Sequence, residues 1–133
     1  MIFIDTGPFV ARYIAADSRH KDAVSYWDKA AKDREAMFTS SFVLDEAFTL
    51  MGRRAGYGFA AQRAENIYAS KTLTILRPDH EDELNALKLF KKFADQQTSF
   101  TDCISFVLMR RNKINRVFAF DAHFSLLGFT LVP

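Results

Sequence analysis

The amino-acid sequence predicts an α/β fold, a three-layer α/β/α arrangement with a mainly parallel central sheet of about five strands. Two observations lead to this prediction. Short apolar runs alternate with longer helical segments along the 133 residues, which is typical of parallel strands joined by crossover helices. The hydrophobic fraction of 49% beside 26% charged residues is that of a globular protein, and the length is that of one domain. We therefore expect residues 1–133 to form a single domain.

The composition argues against several classes of protein. Cys103 is the only cysteine, so no intrachain disulfide can form, which fits a reducing compartment. No apolar run approaches the ~20 residues that a membrane-spanning helix needs. The chain enters a predicted strand at Met1 without a basic leader or a cleavage-site pattern. We therefore expect a cytoplasmic protein.

The formal net charge of +2 is too small to indicate a class of partner, although the basic residues are clustered. Such clusters can bind a phosphate backbone, but solvated helix faces explain them equally well. The clusters are Arg53–Arg54, Lys91–Lys92, and Arg110, Arg111, Lys113 and Arg116.

The first half of the chain alternates predicted strands and helices. A buried strand over residues 1–5 precedes a helix at about 8–16, and Pro8 suits its first turn because the missing N–H is not needed there. A helix beginning after Ser40 and Ser41 runs to about Arg54, because serine side chains cap free backbone N–H groups. The other predicted elements are helices at about 19–35 and 59–70 and a strand at 36–39.

The second half continues the alternation. Strands are predicted at 73–76, 117–120 and 129–132, and a helix runs from Asp79 to about Asp95. In that helix Leu84, Leu87, Phe90 and Phe93 recur every three residues, which predicts a stripe facing the core. The next helix, Ile104–Arg111, is apolar almost all round and is therefore expected to be buried.

Carboxylates lie beside the predicted strand ends. Asp5 follows the first strand, Asp121 follows the fourth, and Asp102 lies in the first turn of the buried helix. Ligands in parallel α/β folds bind at the carboxyl ends of the strands. Helix capping or the helix dipole nevertheless explains each of these acids when it is considered alone.

Asp45 and Glu46 are harder to assign. On a helical projection of about 100° per residue, each lies just outside one edge of the apolar arc of the helix ending at Arg54. One of the two is expected to border the core and the other to face water. The periodicity does not choose between them.

Considered together, the acids indicate a metal site. Two carboxylates at ~4 Å repel one another by about 4 kcal/mol at an effective dielectric constant of about 20, so a cluster must hold protons or bind a cation. Oxygen ligands without a Cys or His cluster favour Mg²⁺ or Mn²⁺ over zinc. Such an ion activates water and offsets charge on a phosphodiester, which is the chemistry of a nuclease.

Four short motifs, in this order and spacing, resemble a known family. They are Ile2-Phe3-Ile4-Asp5-Thr6, Val43-Leu44-Asp45-Glu46, Ser99-Phe100-Thr101-Asp102 and Phe120-Asp121-Ala122-His123-Phe124. Over essentially the whole chain the sequence resembles PIN domains, and in particular the VapC-type toxins of prokaryotic toxin–antitoxin pairs. The resemblance implies a PIN-like fold and a Mg²⁺-dependent endoribonuclease, possible also with Mn²⁺, that forms a homodimer and is inhibited by a cognate antitoxin. It places the metal-binding and catalytic acids at Asp5, Glu46, Asp102 and Asp121, which selects Glu46 over Asp45.

Other residues receive more modest interpretations. Thr6 and Ser99 are candidates to orient the carboxylates, although helix capping explains them equally well. His123 could contact phosphate or a metal, but the favoured interpretation is a turn residue packed beside Phe124. Cys103 is interpreted as a small core residue. Two further expectations concern binding: RNA contacts by Arg12, Arg53 and Arg54, and dimerisation through helices near residues 41–70.

Two alternative functions remain open, and a third is disfavoured. The acids of a non-catalytic α/β interaction module would bind a structural cation or cap helices. A PIN nuclease of RNA processing or decay would keep the chemistry but not the toxin role. A phosphotransferase using Asp5 as nucleophile is disfavoured, since such enzymes need a second aspartate two residues on and position 7 is glycine.

Overall fold

A computed structural model describes all 133 residues, as five strands, six α-helices and two short 3₁₀ helices. In chain order the strands are β1 (Ile2–Ile4), β2 (Met37–Ser40), β3 (Leu73–Leu76), β4 (Arg116–Phe118) and β5 (Thr130–Val132). The α-helices are α1 (Thr6–Tyr13), α2 (His20–Lys32), α3 (Ser41–Ala55), α4 (Tyr57–Ala69), α5 (His80–Lys92) and α6 (Phe100–Arg111). The 3₁₀ helices cover Ala94–Gln96 and Ala122–Leu127.

The five strands form one sheet in the order β3-β2-β1-β4-β5. All four pairings are parallel, with Ile2 opposite Met37 and Phe3 opposite Val117. The predicted α/β fold class with about five strands is confirmed, and the sheet is parallel throughout rather than mainly. The chain moves outward from β1 on both sides, so the strand order reverses between β1 and β4. Such a reversal is where parallel sheets place their ligand sites.

Both faces of the sheet are covered. Ile2, Phe3 and Ile4 are successive residues of β1 and are all fully buried. Because successive side chains of a strand point to opposite faces, helices must cover both faces of β1. The covering core is rich in aromatic residues, with Phe118 of β4 contacting Tyr26, Trp27 and Phe120. None of the helices is both long enough and apolar enough to span a membrane.

The end of β4 differs from the prediction. The predicted strand 117–120 ends at Phe118, so Asp121 follows the strand by three residues rather than directly. The reason lies in the neighbouring strand: β1 leaves the sheet at Asp5, whose N–H donates to the Phe118 carbonyl at 3.0 Å. Beyond this bond, β4 has no β1 partner.

The predicted core stripe of α5 is wrong in three of its four members. Leu84, Leu87 and Phe90 are 42%, 40% and 41% exposed, and only Phe93 is buried. A spacing of three residues drifts around a helix of 3.6 residues per turn, so it cannot stay on one face. The face that contacts the core uses alternating spacings of four and three: Asp82, Ala86, Leu89 and Phe93.

Asp82 is buried because it has three partners. It accepts from the Asp79 N–H at 3.0 Å, and its own N–H donates to the Asp79 side chain at 2.8 Å, forming a capping box. Its carboxylate also lies 3.2 Å from Nη1 of Arg111 on α6. A buried charge with these partners joins α5 to α6.

Replacing Asp82 with alanine is therefore expected to destabilise the protein. The change removes the Asp82 half of the capping box, which is the acceptor of the Asp79 N–H, and leaves Arg111 without its buried partner. These losses predict a decrease of about 1–3 kcal/mol in the free energy of unfolding. Urea denaturation measures this loss. Glu83→Ala, at the exposed neighbouring position, is the control and should shift stability by less than about 0.5 kcal/mol. Equal effects of the two substitutions would contradict the assignment.

Candidate active site

Four acids predicted from the sequence line one open pocket at the point where the strand order reverses. These residues, Asp5, Glu46, Asp102 and Asp121, are called the acidic pocket below. The cavity that they line has a volume of about 500 Å³. β1, α3, α6 and the loop after β4 each position one acid, so residues far apart in sequence meet at one edge of the sheet.

Asp5 does not cap a helix. It stands immediately before α1, but its side chain makes no capping hydrogen bond. The residue is 5% exposed, and its Oδ1 atom is buried without a hydrogen-bond partner. Burial raises the pKa of Asp5 to about 7, against the lowering effect of the Thr6 N–H and together with the charges of Glu46 and Asp121. The buried Asp5 carboxyl group therefore favours either a bound proton or a neighbouring cation.

Asp102 is positioned by the start of α6. The Ser99 hydroxyl caps this helix by accepting the Asp102 N–H at 3.0 Å. The Asp102 side chain is nearly buried, and this burial, with the charges of Asp5 and Asp121, raises its pKa to about 8. Two neighbouring acids thus resist ionisation for the same physical reason.

Asp121 serves as a cap and also borders the pocket. Its Oδ1 accepts the backbone N–H of His123 at 2.8 Å at the start of the 3₁₀ helix Ala122–Leu127. Burial favours the neutral acid, but the His123 N–H and imidazole hold the pKa of Asp121 below its usual value. The capping explanation considered from the sequence is therefore correct for Asp121, and it leaves the second carboxylate oxygen for the pocket.

His123 lines the same cavity. This position differs from the favoured sequence interpretation as a packing residue of the turn and is compatible with the alternative considered there, contact with phosphate or a metal. Its Nδ1 lies 2.8 Å from Oδ1 of Asp121 and 3.7 Å from Oδ2 of Asp102. The nearer separation is that of an ion pair, yet the geometry at Nδ1 is not that of a hydrogen bond. Nε2 lies 2.8 Å from the Gln96 carbonyl oxygen. The Asp121 side chain raises the pKa of His123.

The remaining acid is supplied by α3. Glu46 is partly buried and lines the acidic pocket, whereas Asp45 is exposed and lies outside it. The two hydroxyl residues proposed to orient carboxylates do not hydrogen-bond to any of them. Ser99 is a cap, and the Thr6 hydroxyl is buried without a partner.

Two arginines lie beside the acids. Arg54 of α3 lines the pocket and its Nη1 lies 2.7 Å from Oδ2 of Asp17. Arg19, between α1 and α2, lines it too and lies over the Phe120 ring at 4.9 Å. Sequence reasoning missed Arg19 because an isolated loop arginine has no pattern that signals a site.

The other basic residues predicted to bind RNA lie elsewhere. Arg12 lines a separate cavity and stacks over Trp27 at 4.5 Å, and Arg53 is exposed but does not line the pocket. In the cluster between 110 and 116, Arg111 pairs with Asp82 and Arg116 pairs with Glu35. A structural role in these ion pairs therefore explains both arginines without an RNA contact.

The sequence matches the PIN domain over residues 2–129. The chain belongs to the PIN-domain family. It is 35% identical over 135 residues to the 23S rRNA-specific endonuclease VapC20 of Mycobacterium tuberculosis, an alignment covering 99% of this chain and 98% of the relative. The predicted resemblance to PIN-domain, VapC-type proteins is thus confirmed.

Two solved structures share this PIN fold. The crystal structure of M. tuberculosis VapC20, described as a toxin that cleaves the sarcin–ricin loop, has a TM-score of 0.88 at 32% identity, covering 98% of this chain and 97% of that chain. VapBC2 of Rickettsia felis, bound to a promoter DNA fragment, has a TM-score of 0.72 and covers 99% and 98% of the two chains. At 14% identity, the second likeness concerns the fold alone.

The donor set of this PIN domain fits a divalent cation. Four carboxylates provide hard oxygen ligands, and the unpartnered Oδ1 of Asp5 is a buried acceptor without a donor. Of the nearby cations, Arg54 is already paired with Asp17. An ion bound among the acids would offset both the desolvation and the mutual repulsion that raise the pKa values of Asp5 and Asp102.

The raised pKa of Asp102 predicts a pH-dependent stability. Its folded value of about 8 exceeds the unfolded value of about 3.9, so the folded state retains a proton that the unfolded chain releases. The stability contributed by this group is complete below pH ~4 and is lost as the pH rises through the folded pKa. In EDTA, we expect Asp102→Asn to be more stable than the wild type at pH 8, by about a few kcal/mol, and similar to it near pH 4.

Urea denaturation between pH 4 and pH 9 measures this difference. Asp45→Asn is the matched control, because Asp45 is an exposed acid adjacent to Glu46. Its stability should follow the wild type at every pH. A gap between Asp102→Asn and the wild type that stays constant with pH would contradict the electrostatic origin.

Proposed function

We propose that this protein is a Mg²⁺-dependent endoribonuclease that hydrolyses RNA phosphodiesters, and that it is the toxin of a toxin–antitoxin pair. The observation that supports the proposal most directly is the meeting of Asp5, Glu46, Asp102 and Asp121 in one pocket, with a buried Asp5 oxygen that lacks a donor. Membership of the PIN family and 35% identity to an endonuclease toxin point the same way. Mn²⁺ is the alternative ion.

Each acid has a proposed role. Asp5 and Asp102, the two most buried, hold the ion, and Glu46 and Asp121 complete the site directly or through water. When bound, a divalent ion lowers the pKa of water and offsets the negative charge of a phosphodiester. Beside such an ion, Asp5 and Asp102 would be ionised at neutral pH, because its positive charge would lower their pKa values.

The cysteine beside the acids is not a suitable nucleophile. Cys103 follows Asp102 but is fully buried, and burial raises the pKa of its thiol to about 11. A thiol in this state is a poor nucleophile, because the thiolate is the reactive form. Hydrolysis by direct attack of water, without a covalent enzyme intermediate, is therefore the proposed mechanism.

The groups beside the acids suit RNA. Arg19 and Arg54 line the pocket and can neutralise phosphates of a bound strand. VapC20 is named for its action on 23S rRNA and described as cleaving the sarcin–ricin loop. We propose a structured ribosomal RNA as the substrate of this chain too, in the cytoplasm, with a cognate antitoxin protein as its inhibitor.

Cleavage of a sarcin–ricin loop RNA and of intact ribosomes tests the activity. We expect wild-type protein with Mg²⁺ to cut at a defined position, and Asp102→Asn to lose at least about a hundredfold in rate, since removing a ligand weakens metal binding at least as much as losing an outer partner. Asp45→Asn should retain full activity. A fully active Asp102→Asn, or a wild type that cleaves neither substrate with Mg²⁺ or Mn²⁺, would contradict the proposal.

We propose that the toxin is a homodimer formed through α5, and the interface near residues 41–70 expected from the sequence is the alternative. The exposed side chains of Leu84, Leu87 and Phe90 form an apolar strip along α5. Acids lie in the first half of the helix and lysines in the second, at Glu81, Glu83, Lys88, Lys91 and Lys92. If two copies of α5 packed antiparallel through the apolar strip, the acids of each helix would lie opposite the lysines of the other. The partner that matches this face is therefore a second copy of the chain.

Leu87→Asp places a charge in the centre of this strip and is expected to give a monomer. Light scattering coupled to size-exclusion chromatography measures the mass. Tyr68→Asp is the matched control on α4, at a residue 54% exposed within the segment 41–70. A monomer caused by Tyr68→Asp but not by Leu87→Asp would place the interface in the segment 41–70 instead.

A further inference from the structure

His123 is held at both ends of its imidazole ring. Nε2 lies 2.8 Å from the carbonyl oxygen of Gln96, in the 3₁₀ helix between α5 and α6. A carbonyl oxygen has no proton to give, so Nε2 must be the donor in this hydrogen bond. In the neutral ring, the other nitrogen, Nδ1, then presents a lone pair. A histidine that binds a metal commonly donates its second ring N–H to a backbone carbonyl in this way.

The Nδ1 atom is directed among the carboxylates. It is buried and has no hydrogen-bond partner, although Oδ1 of Asp121 is 2.8 Å away and Oδ2 of Asp102 is 3.7 Å away. Ligand atoms of Asp102, Asp121 and His123 all lie within 4.8 Å of one another. When the acids are ionised and the ring is neutral, three electron-pair donors face one another, an arrangement that needs either a proton on Nδ1 or a cation between them.

We propose that His123 is a nitrogen ligand of the metal ion in the acidic pocket, and that it raises the affinity of the site for Mn²⁺ relative to its affinity for Mg²⁺. The inference rests on the proposed metal-dependent function and assigns one further ligand to it. Mg²⁺ selects oxygen ligands and retains much of its water, whereas transition metals accept imidazole readily. Replacing one oxygen donor with Nδ1 therefore favours Mn²⁺.

The surrounding backbone keeps the ring in place. The Gln96 N–H donates to the Phe93 carbonyl at 3.1 Å, and the Gln97 N–H donates to Ala94 at 3.1 Å, which fixes the turn carrying the accepting carbonyl. At the other end, Asp121 caps the turn that contains His123. The imidazole is thus preorganised before an ion binds, as a ligand requires.

Calorimetric titration with Mn²⁺ and with Mg²⁺ tests the preference. The variant is His123→Asn, which replaces the ring nitrogen with an amide group, and the control is His80→Asn, at an exposed residue of α5 that does not line the pocket. We expect His123→Asn to lose on the order of tenfold or more in Mn²⁺ affinity and less in Mg²⁺ affinity. His80→Asn should bind both ions as the wild type does. Circular dichroism checks that each variant is folded.

Pulsed electron paramagnetic resonance of bound Mn²⁺ gives a readout independent of activity. Directly coordinated imidazole nitrogen modulates the echo, so we expect ¹⁴N modulation in the wild type and in His80→Asn, and its loss in His123→Asn. Two results together would overturn this inference alone: bound Mn²⁺ without nitrogen modulation in the wild type, and an unchanged ratio of Mn²⁺ to Mg²⁺ affinity in His123→Asn. His123 would then be an ion-pair partner of Asp121. A wild type that binds neither ion would overturn the proposed function as well.

Discussion

The parallel pairing of β1 with β4 is the constraint on which the candidate site depends. The last bond of this pairing, from the Asp5 N–H to the Phe118 carbonyl, brings the end of β1 beside the loop that leads to Asp121. α6 immediately precedes β4 along the chain, so its first turn delivers Asp102 to the same edge. The strand order reverses between these two strands, and the gap left by the diverging connections is the pocket. Shifting this register would separate the acids.

Bringing four carboxylates together costs stability. Burial and mutual repulsion raise the pKa values of Asp5 and Asp102 far above that of a free aspartate, so the protein without an ion is stable near neutral pH partly by retaining protons. A neutral side chain in place of any of these acids would carry a smaller free-energy cost of desolvation. A local loss of stability of this kind is expected at sites where binding or catalysis requires the destabilising residues.

The sheet could be predicted from the sequence because its buried strands are short continuous apolar runs. β3 has the predicted bounds, and β1 and β2 differ from theirs by one or two residues. The core-facing residues of α5 could not be predicted in the same way. Leu84, Leu87 and Phe90 resemble a core face unless one considers that a three-residue spacing drifts around the helix. The residue that replaces them inward, Asp82, is charged, and only its partners Asp79 and Arg111 explain its burial. No local pattern encodes those partners.

The site was only partly predictable for a different reason. Asp45 and Glu46 are adjacent acids with symmetrical positions on the helical projection, so the resemblance to PIN domains, rather than periodicity, selected Glu46. Its partly buried place in the pocket, beside an exposed Asp45, agrees with that selection. The positions of Arg19 and His123 in the pocket depend on contacts between segments distant in sequence. Arg19 contacts Phe120, and His123 contacts Gln96. Only the folded chain reveals such contacts.

Capping and function are not exclusive explanations for an acid, and the three aspartates show why. Asp5 occupies a cap position without capping, Ser99 rather than Asp102 caps α6, and Asp121 caps its turn through Oδ1. A carboxylate has two oxygens, so a cap that uses one fixes the direction of the other. Asp121 and Ser99 thus hold their loops in the conformations that aim carboxylates at the pocket. A helix-capping pattern at a strand end is therefore compatible with a metal site, and the oxygen that lacks a donor, here Oδ1 of Asp5, is the feature that separates a site from a cap.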